Sequence, residues 1–182
     1  MSQLISRSAK DSPSAIRWLD AITDITGSTT AWLTLAMVLI SSLVVILRHG
    51  FNIGSIALQD SVTYMHGMVF MMGAAYTLKQ GGHVRVDILY NRFSPRSRAW
   101  VDALGSLVFT LPVVVFIGWG SWDYVMRAWE IRESSNDSGG LGGVYLFKTL
   151  LPLMALSLGL QAFAELLRNL WYLMQPAEST AC

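Results

Sequence analysis

Cysteine is nearly missing from this 182-residue chain, which has one, Cys182. No internal disulfide is possible, and a thiolate metal site is argued against. Charge is scarce too. Asp, Glu, Lys and Arg make up 14% of the residues, where soluble domains carry about a quarter. Thirteen basic residues against twelve acidic ones leave a net charge of +1, too little for a nucleic-acid binder, so no nucleic-acid partner is expected. A soluble enzyme is a poor reading from the outset.

Apolar sequence is plentiful. Hydrophobic residues reach 53%, with seven Trp and nine Met, and they fall in four runs. Ile25–Leu47 and Ala103–Trp122 carry no charge, Ile56–Leu78 carries only Asp60, and Val144–Leu167 carries Lys148 and Glu165. About 20 helical residues cross a bilayer core, and backbone groups in hydrocarbon must be satisfied within the segment. The expected fold is an all-α integral membrane protein with four transmembrane helices, roughly 25–47, 56–78, 103–122 and 144–167. They form a single domain over 13–175, with a mobile polar N-terminus at 1–12 and a C-terminal tail at 176–182.

The distribution of cations predicts the orientation. With four spans, Arg7, Lys10, Arg17, Lys79, Arg85, Arg92, Arg96, Arg98 and Arg168 share one side, and Arg48, Arg127, Arg132 and Lys148 share the other. The richer side is the cytoplasmic one, so both termini are expected inside. The basic connector 79–98 is then a topology determinant at the cytoplasmic face. Trp18, Trp100 and Trp171 at one level, with Trp119, Trp122 and Trp129 at the other, fit the interfacial preference of indole.

Ser12-Pro13 reads as a cap followed by Pro at the first helical position. After it, Ala15, Trp18, Leu19 and Ile22 oppose Arg17, Asp20, Thr23 and Asp24. This is an amphipathic lead-in, lying at the interface or continuous with the first span. Ser94-Pro95 repeats the signal before the third helix. If that helix runs on to Glu133 it is about 58 Å long, so it tilts or projects beyond the bilayer. Asp123 with Arg127, and Arg127 with Glu130, would support the projecting part. Pro112 and Pro152 permit kinks. SSNDSGGLGG at 134–143 is a Gly-rich breaker, expected on the outer side.

Ionisable residues inside a span need a partner or a role. Asp60 is expected to pair with Arg48 or Arg127 at the outer interface. His66 lies deeper, and an interhelical hydrogen bond is favoured over a proton relay or haem ligation. Gln161, Glu165 and Arg168 share a face of the fourth helix, with Asp102 at the same depth, so they are expected to staple the third and fourth helices or touch a partner. Otherwise the middle of each span is nearly all apolar, without the polar midplane pathway of a transporter acting alone. The composition suggests a subunit.

The segment Gly81-Gly82-His83-Val84-Arg85-Val86-Asp87-Ile88-Leu89-Tyr90 after the second span resembles the connector of the small, DctQ-like membrane subunit of tripartite ATP-independent periplasmic (TRAP) transporters. Trp129-Glu130-Ile131-Arg132-Glu133-Ser134 leading into glycines 139–143 is similar to the same family. So is Lys148 followed by an apolar helix containing Gln161. The resemblance extends from about Trp18 to Trp171. It implies a larger membrane subunit that binds substrate and sodium and moves as an elevator. It also implies a periplasmic binding protein that delivers a small organic acid. In this picture the chain is a non-catalytic scaffold with no cofactor of its own, and its long first and third helices are tilted struts.

Gly82, His83, Arg85, Asp87, Tyr90 and Arg92 would then contact phospholipid or the large subunit, and Arg127, Glu130, Arg132, Glu133 and Asp137 would help dock the binding protein. The alternative from another class is a haem-binding anchor of a respiratory enzyme. Its only candidate ligands are His49, His66 and His83. Bis-His ligation needs two at one depth, and only His66 lies well inside a span.

Overall fold

In the computed structural model, residues 14–81 and 93–174 are described. The expected N-terminal segment, the Ser12-Pro13 cap, the connector residues Gly82, His83, Arg85, Asp87, Tyr90 and Arg92, and the C-terminal tail lie outside the described residues.

Four long helices follow one another. Helix α1 covers Ser14–Gly50 and is 37 residues long, about 55 Å at 1.5 Å per residue. A five-residue turn closed by Ile53 N–H donating to Leu47 O (3.0 Å) reverses the chain into α2, Ile56–Lys79. Ser55 caps α2, accepting from Leu58 N at 3.4 Å. Helix α3 covers Pro95–Glu130. It begins as expected, with Ser94 Oγ accepting from Ser97 N (3.2 Å) and Pro95 in the first turn. Helix α4 covers Val144–Met174, with its first turn, Val144–Lys148, set off from Leu150–Met174 at Thr149. No strand occurs among the described residues, and a single antiparallel bridge joins Ser134 to Gly142.

Length and apolar composition qualify α1, α3 and α4 as membrane-crossing helices. Helix α2 has 24 residues, enough to cross, but its composition is diluted by Gln59, Asp60 and His66, and it does not join the other three on that criterion. The expected third helix is shorter than an extension to Glu133. It ends at Glu130, and Arg132 takes the left-handed conformation at φ 45°. Its middle contains a wider π-helical stretch, Ser106–Thr110, directly before Pro112. Proline has no N–H for the carbonyl four residues back and its ring crowds that carbonyl. A widened turn relieves both conflicts while the helix continues.

Helix α4 is the centre of the fold: α1, α2 and α3 all pack on it, and α1 also packs on α2. Small side chains make this possible. Ala155, Ala162 and Ala164 of α4 are buried, as are Ala75 of α2 and Ala99, Ala103 and Ala128 of α3. In hydrocarbon, helix pairs gain no hydrophobic drive, so close backbone approach at small residues supplies the packing. Gly67 is the tightest such place on α2. A Cβ there would lie 2.7 Å from Cζ of Phe147, whose ring stacks on Tyr64 at a centroid distance of 4.8 Å.

The lead-in is continuous with α1, and it is turned the opposite way from an interfacial amphipathic helix. Trp18 (70% exposed) and Ile25 (68% exposed) point outward, while Ile16 and Thr23 are buried. Asp20 and Thr23 face inward because their partners are there, on α4, while Arg17 is exposed and Asp24 reaches Lys79 of α2 from the rim.

Gly67→Ala is expected to lower stability by about 1–3 kcal/mol, the usual cost of overpacking. Gly120→Ala, at a position with open space around the added methyl, should not destabilise. Thermal unfolding of the detergent-purified protein checks both, and a Gly67→Ala midpoint at or above that of Gly120→Ala contradicts the packing described.

Candidate functional site

Polar chemistry gathers at the two ends of the bundle. At the end holding the start of α1 and the finish of α4, the Arg168 guanidinium bridges Asp20 and Glu165. Its Nη2 lies 2.7 Å from Oδ2 and 2.9 Å from Oδ1. Nη1 donates to Glu165 Oε1 at 2.7 Å. Gln161, fully buried, accepts from Thr23 Oγ1 at 2.7 Å and aims its amide N–H groups at Asp20 and Glu165, both at 3.4 Å. Beside this cluster Lys79 of α2 pairs with Asp24 (2.6 Å) and donates to the Asp20 carbonyl (3.0 Å). The sequence predicts that Gln161, Glu165 and Arg168 share a face, and they do. The helix they bind through these contacts is α1, where α3 was the expected partner: Asp20 and Thr23 supply the bonds.

Charge-assisted hydrogen bonds such as these are roughly twice as strong as neutral ones. Removing one member of such a buried group is costly because the other is left uncompensated. The contact therefore fixes the register of α1 against α4. Asp20 and Thr23 were legible only as the polar side of a lead-in. Their heptad-like spacing with Ile16, Gly27 and Thr30 is the signal that they face inward.

At the other end, Asp60 is not ion-paired with Arg48 or Arg127. Its Oδ2 accepts the backbone N–H of Leu141 at 2.9 Å, tying the Gly-rich segment down onto α2. Gly140 is required there, since a Cβ would sit 2.7 Å from Asp60 Oδ2 and 2.6 Å from Ser135 Cβ. Gly139 has φ +85°, a conformation that favours glycine. Glu133 is bound internally by Lys148, whose ammonium also stands 4.0 Å from the Tyr124 ring centroid. Trp129 Nε1 donates to Thr149 Oγ1 at 2.9 Å, and its ring meets Tyr145 edge-on. Glu133 is thus a structural anchor of this end, not a free docking charge. Arg127, Glu130, Arg132 and Asp137 are exposed, and neither Asp123–Arg127 nor Arg127–Glu130 forms an ion pair among the described residues.

His66, about 15 Å along α2 by helical rise, is exposed and makes no hydrogen bond among the described residues. The expected interhelical bond is absent among the described residues. His49 sits at the far end of α1, a different depth from His66. No cluster suited to a metal ion occurs among the described residues. Between α3 and α4 runs an open apolar groove of ≈ 1000 Å³, lined by residues that include Val115, Gly118, Trp119, Leu153 and Leu156.

Among the described residues, then, two polar ends are joined by long apolar helices, three of them long and apolar enough to cross a membrane. The family model for tripartite ATP-independent periplasmic transporters, DctQ component, matches residues 37–171. The chain belongs to the DctQ family. That match takes in α2, α3 and the outer segment completely, and most of α4. Neither the curated proteins nor the solved structures give a match. The DctQ-like chain is therefore a component of a transporter, with membrane-crossing helices consistent with that setting.

Two outcomes test the ends. Arg168→Ala should cost about 3 kcal/mol or more, because Asp20 and Glu165 lose their shared cation. Combining Asp20→Asn, Glu165→Gln and Arg168→Met should restore most of that loss in thermal unfolding. At the other end, Asp60→Leu should speed exchange of the Leu141 amide about tenfold, the effect of one lost hydrogen bond. Asp60→Asn, which keeps an acceptor oxygen, should leave exchange nearly unchanged.

Proposed function

We propose that this chain is the non-catalytic small membrane subunit of a sodium-driven TRAP transporter in the bacterial inner membrane. It braces a large elevator-type subunit and helps a periplasmic binding protein dock for uptake of a small organic acid. The observation that carries the reading is the family match over residues 37–171, on a bundle whose polar groups hold its own helices together.

The physical arrangement supports a brace. Helices α1 and α3 are long, and most of their surface is exposed. A rigid body with long apolar flanks suits a static support for a moving neighbour. Helix α2 is read as the fourth span because it packs antiparallel between α1 and α4. The cation count places the Arg168 end and both termini in the cytoplasm. Phospholipid headgroups then face the basic connector. The Asp60 end lies outside, where exposed Arg127, Glu130, Arg132 and Asp137 offer mixed charge for a weak, salt-sensitive encounter. Sodium and substrate belong to the large subunit.

Reconstitution tests this directly. Proteoliposomes holding this chain with its large subunit and binding protein should take up substrate in a sodium gradient. The chain alone should take up none, and sodium-dependent flux by the chain alone refutes the proposal. Arg127→Glu with Arg132→Glu should weaken uptake several-fold at limiting binding protein, as expected where rim charges set the association rate. Saturating binding protein should recover it. Unchanged uptake at every concentration removes these arginines from docking.

A further inference from the structure

The outward faces of the long helices differ in chemistry. On α1 the exposed residues in the membrane portion include Leu35, Val38, Leu39 and Leu43, and on α3 they include Leu107, Val108, Phe109 and Phe116. Both faces suit hydrocarbon. The exposed side of α2 runs Gln59, Thr63, His66, Phe70, Gly73 and Thr77. These positions are spaced by alternating steps of four and three, and all are exposed except Gly73, which is partly so. That spacing is the seam by which one helix packs along another at a shallow crossing.

The seam is built for a protein neighbour. The hydroxyls of Thr63 and Thr77 are satisfied by the carbonyls of Gln59 (3.2 Å) and Gly73 (2.9 Å). The His66 imidazole, close to the middle of α2, has no such acceptor or donor among the described residues. A polar ring facing lipid at that depth is costly, and the remedy is a hydrogen bond from another helix. One turn on, Phe70 stands 69% exposed as a knob. Beyond it, a Cβ on Gly73 would meet nothing within 4 Å, leaving a notch where a neighbour's side chain or backbone can approach. Helix α2 is also the long helix whose composition does not by itself suit a lipid-facing span.

We propose that the His66 face of α2 is the seat of a membrane-spanning helix of the large subunit. That helix presents a hydroxyl, carbonyl or carboxylate level with His66, a small residue opposite Phe70 and a bulky one opposite Gly73. The inference rests on the subunit reading above and adds the location and chemistry of the contact. The lipid-exposed flank of α3 is then not the main joint.

The test uses the full complex, co-expressed with its large subunit and purified through a tag on that subunit. A photo-reactive p-benzoylphenylalanine placed at Phe70 should yield an adduct with the large subunit, and one placed at Phe116 on α3 should not. His66→Leu should weaken recovery of this chain with the large subunit about threefold to tenfold, the range of a single interhelical polar contact. Gly73→Leu should do at least as much, while neither change lowers the thermal midpoint of the chain purified alone.

An adduct from Phe70 at twice this chain's mass assigns the seam to a second copy and overturns the proposal. So does a large-subunit adduct from Phe116 with none from Phe70, or full recovery of the complex with both variants. If the unaltered chain does not co-purify with the large subunit at all, the subunit reading itself fails, which is a separate and recognisable result.

Discussion

A hydrocarbon solvent offers no hydrogen bonds, so an amide or charged side chain beneath the headgroups must find its partner in protein. In this fold the partners converge on α4. Gln161, Glu165 and Arg168 meet Asp20 and Thr23 at one end. Lys148 and Thr149 meet Glu133 and Trp129 at the other. Between these ends α4 offers alanines, against which three helices close without long side chains intervening. If the Asp20–Arg168 contact were missing, α1 would keep its packing on α2 but lose its fixed register on α4.

Much of this was written into the sequence. Four uncharged or nearly uncharged runs specify α1, α2, α3 and α4, and the Ser94-Pro95 pair marks the start of α3 to the residue. The Gly-rich stretch marks the outer segment. What could not be read was the identity of partners. Asp60 was matched to arginines because charges are visible in a sequence, whereas its actual donor is a backbone N–H, which every residue but proline carries. Likewise the lead-in reads as an amphipathic helix, at the interface or continuous with the first span, and its pattern does not say which residues meet the bundle. Here Trp18 and Ile25 lie outside, and Asp20 and Thr23 turn toward Arg168 and Gln161.

The end of α3 shows a related limit. Charges at Asp123, Arg127 and Glu130 have the spacing of intrahelical pairs, yet the side chains stand apart in solvent, where such pairs contribute little. The π-helical stretch before Pro112 had only the proline as its mark. The family assignment was accessible from the connector and outer motifs, and the match over 37–171 agrees with it.

The anchoring of residues 131–143 has an entropic meaning. Asp60 holds Leu141, Lys148 holds Glu133, and the Ser134–Gly142 bridge closes the segment on itself. A segment already ordered has little conformational freedom left to lose, so a contact made on it carries a small ordering cost. Rigidity of this rim keeps its charges in one arrangement instead of an ensemble of them.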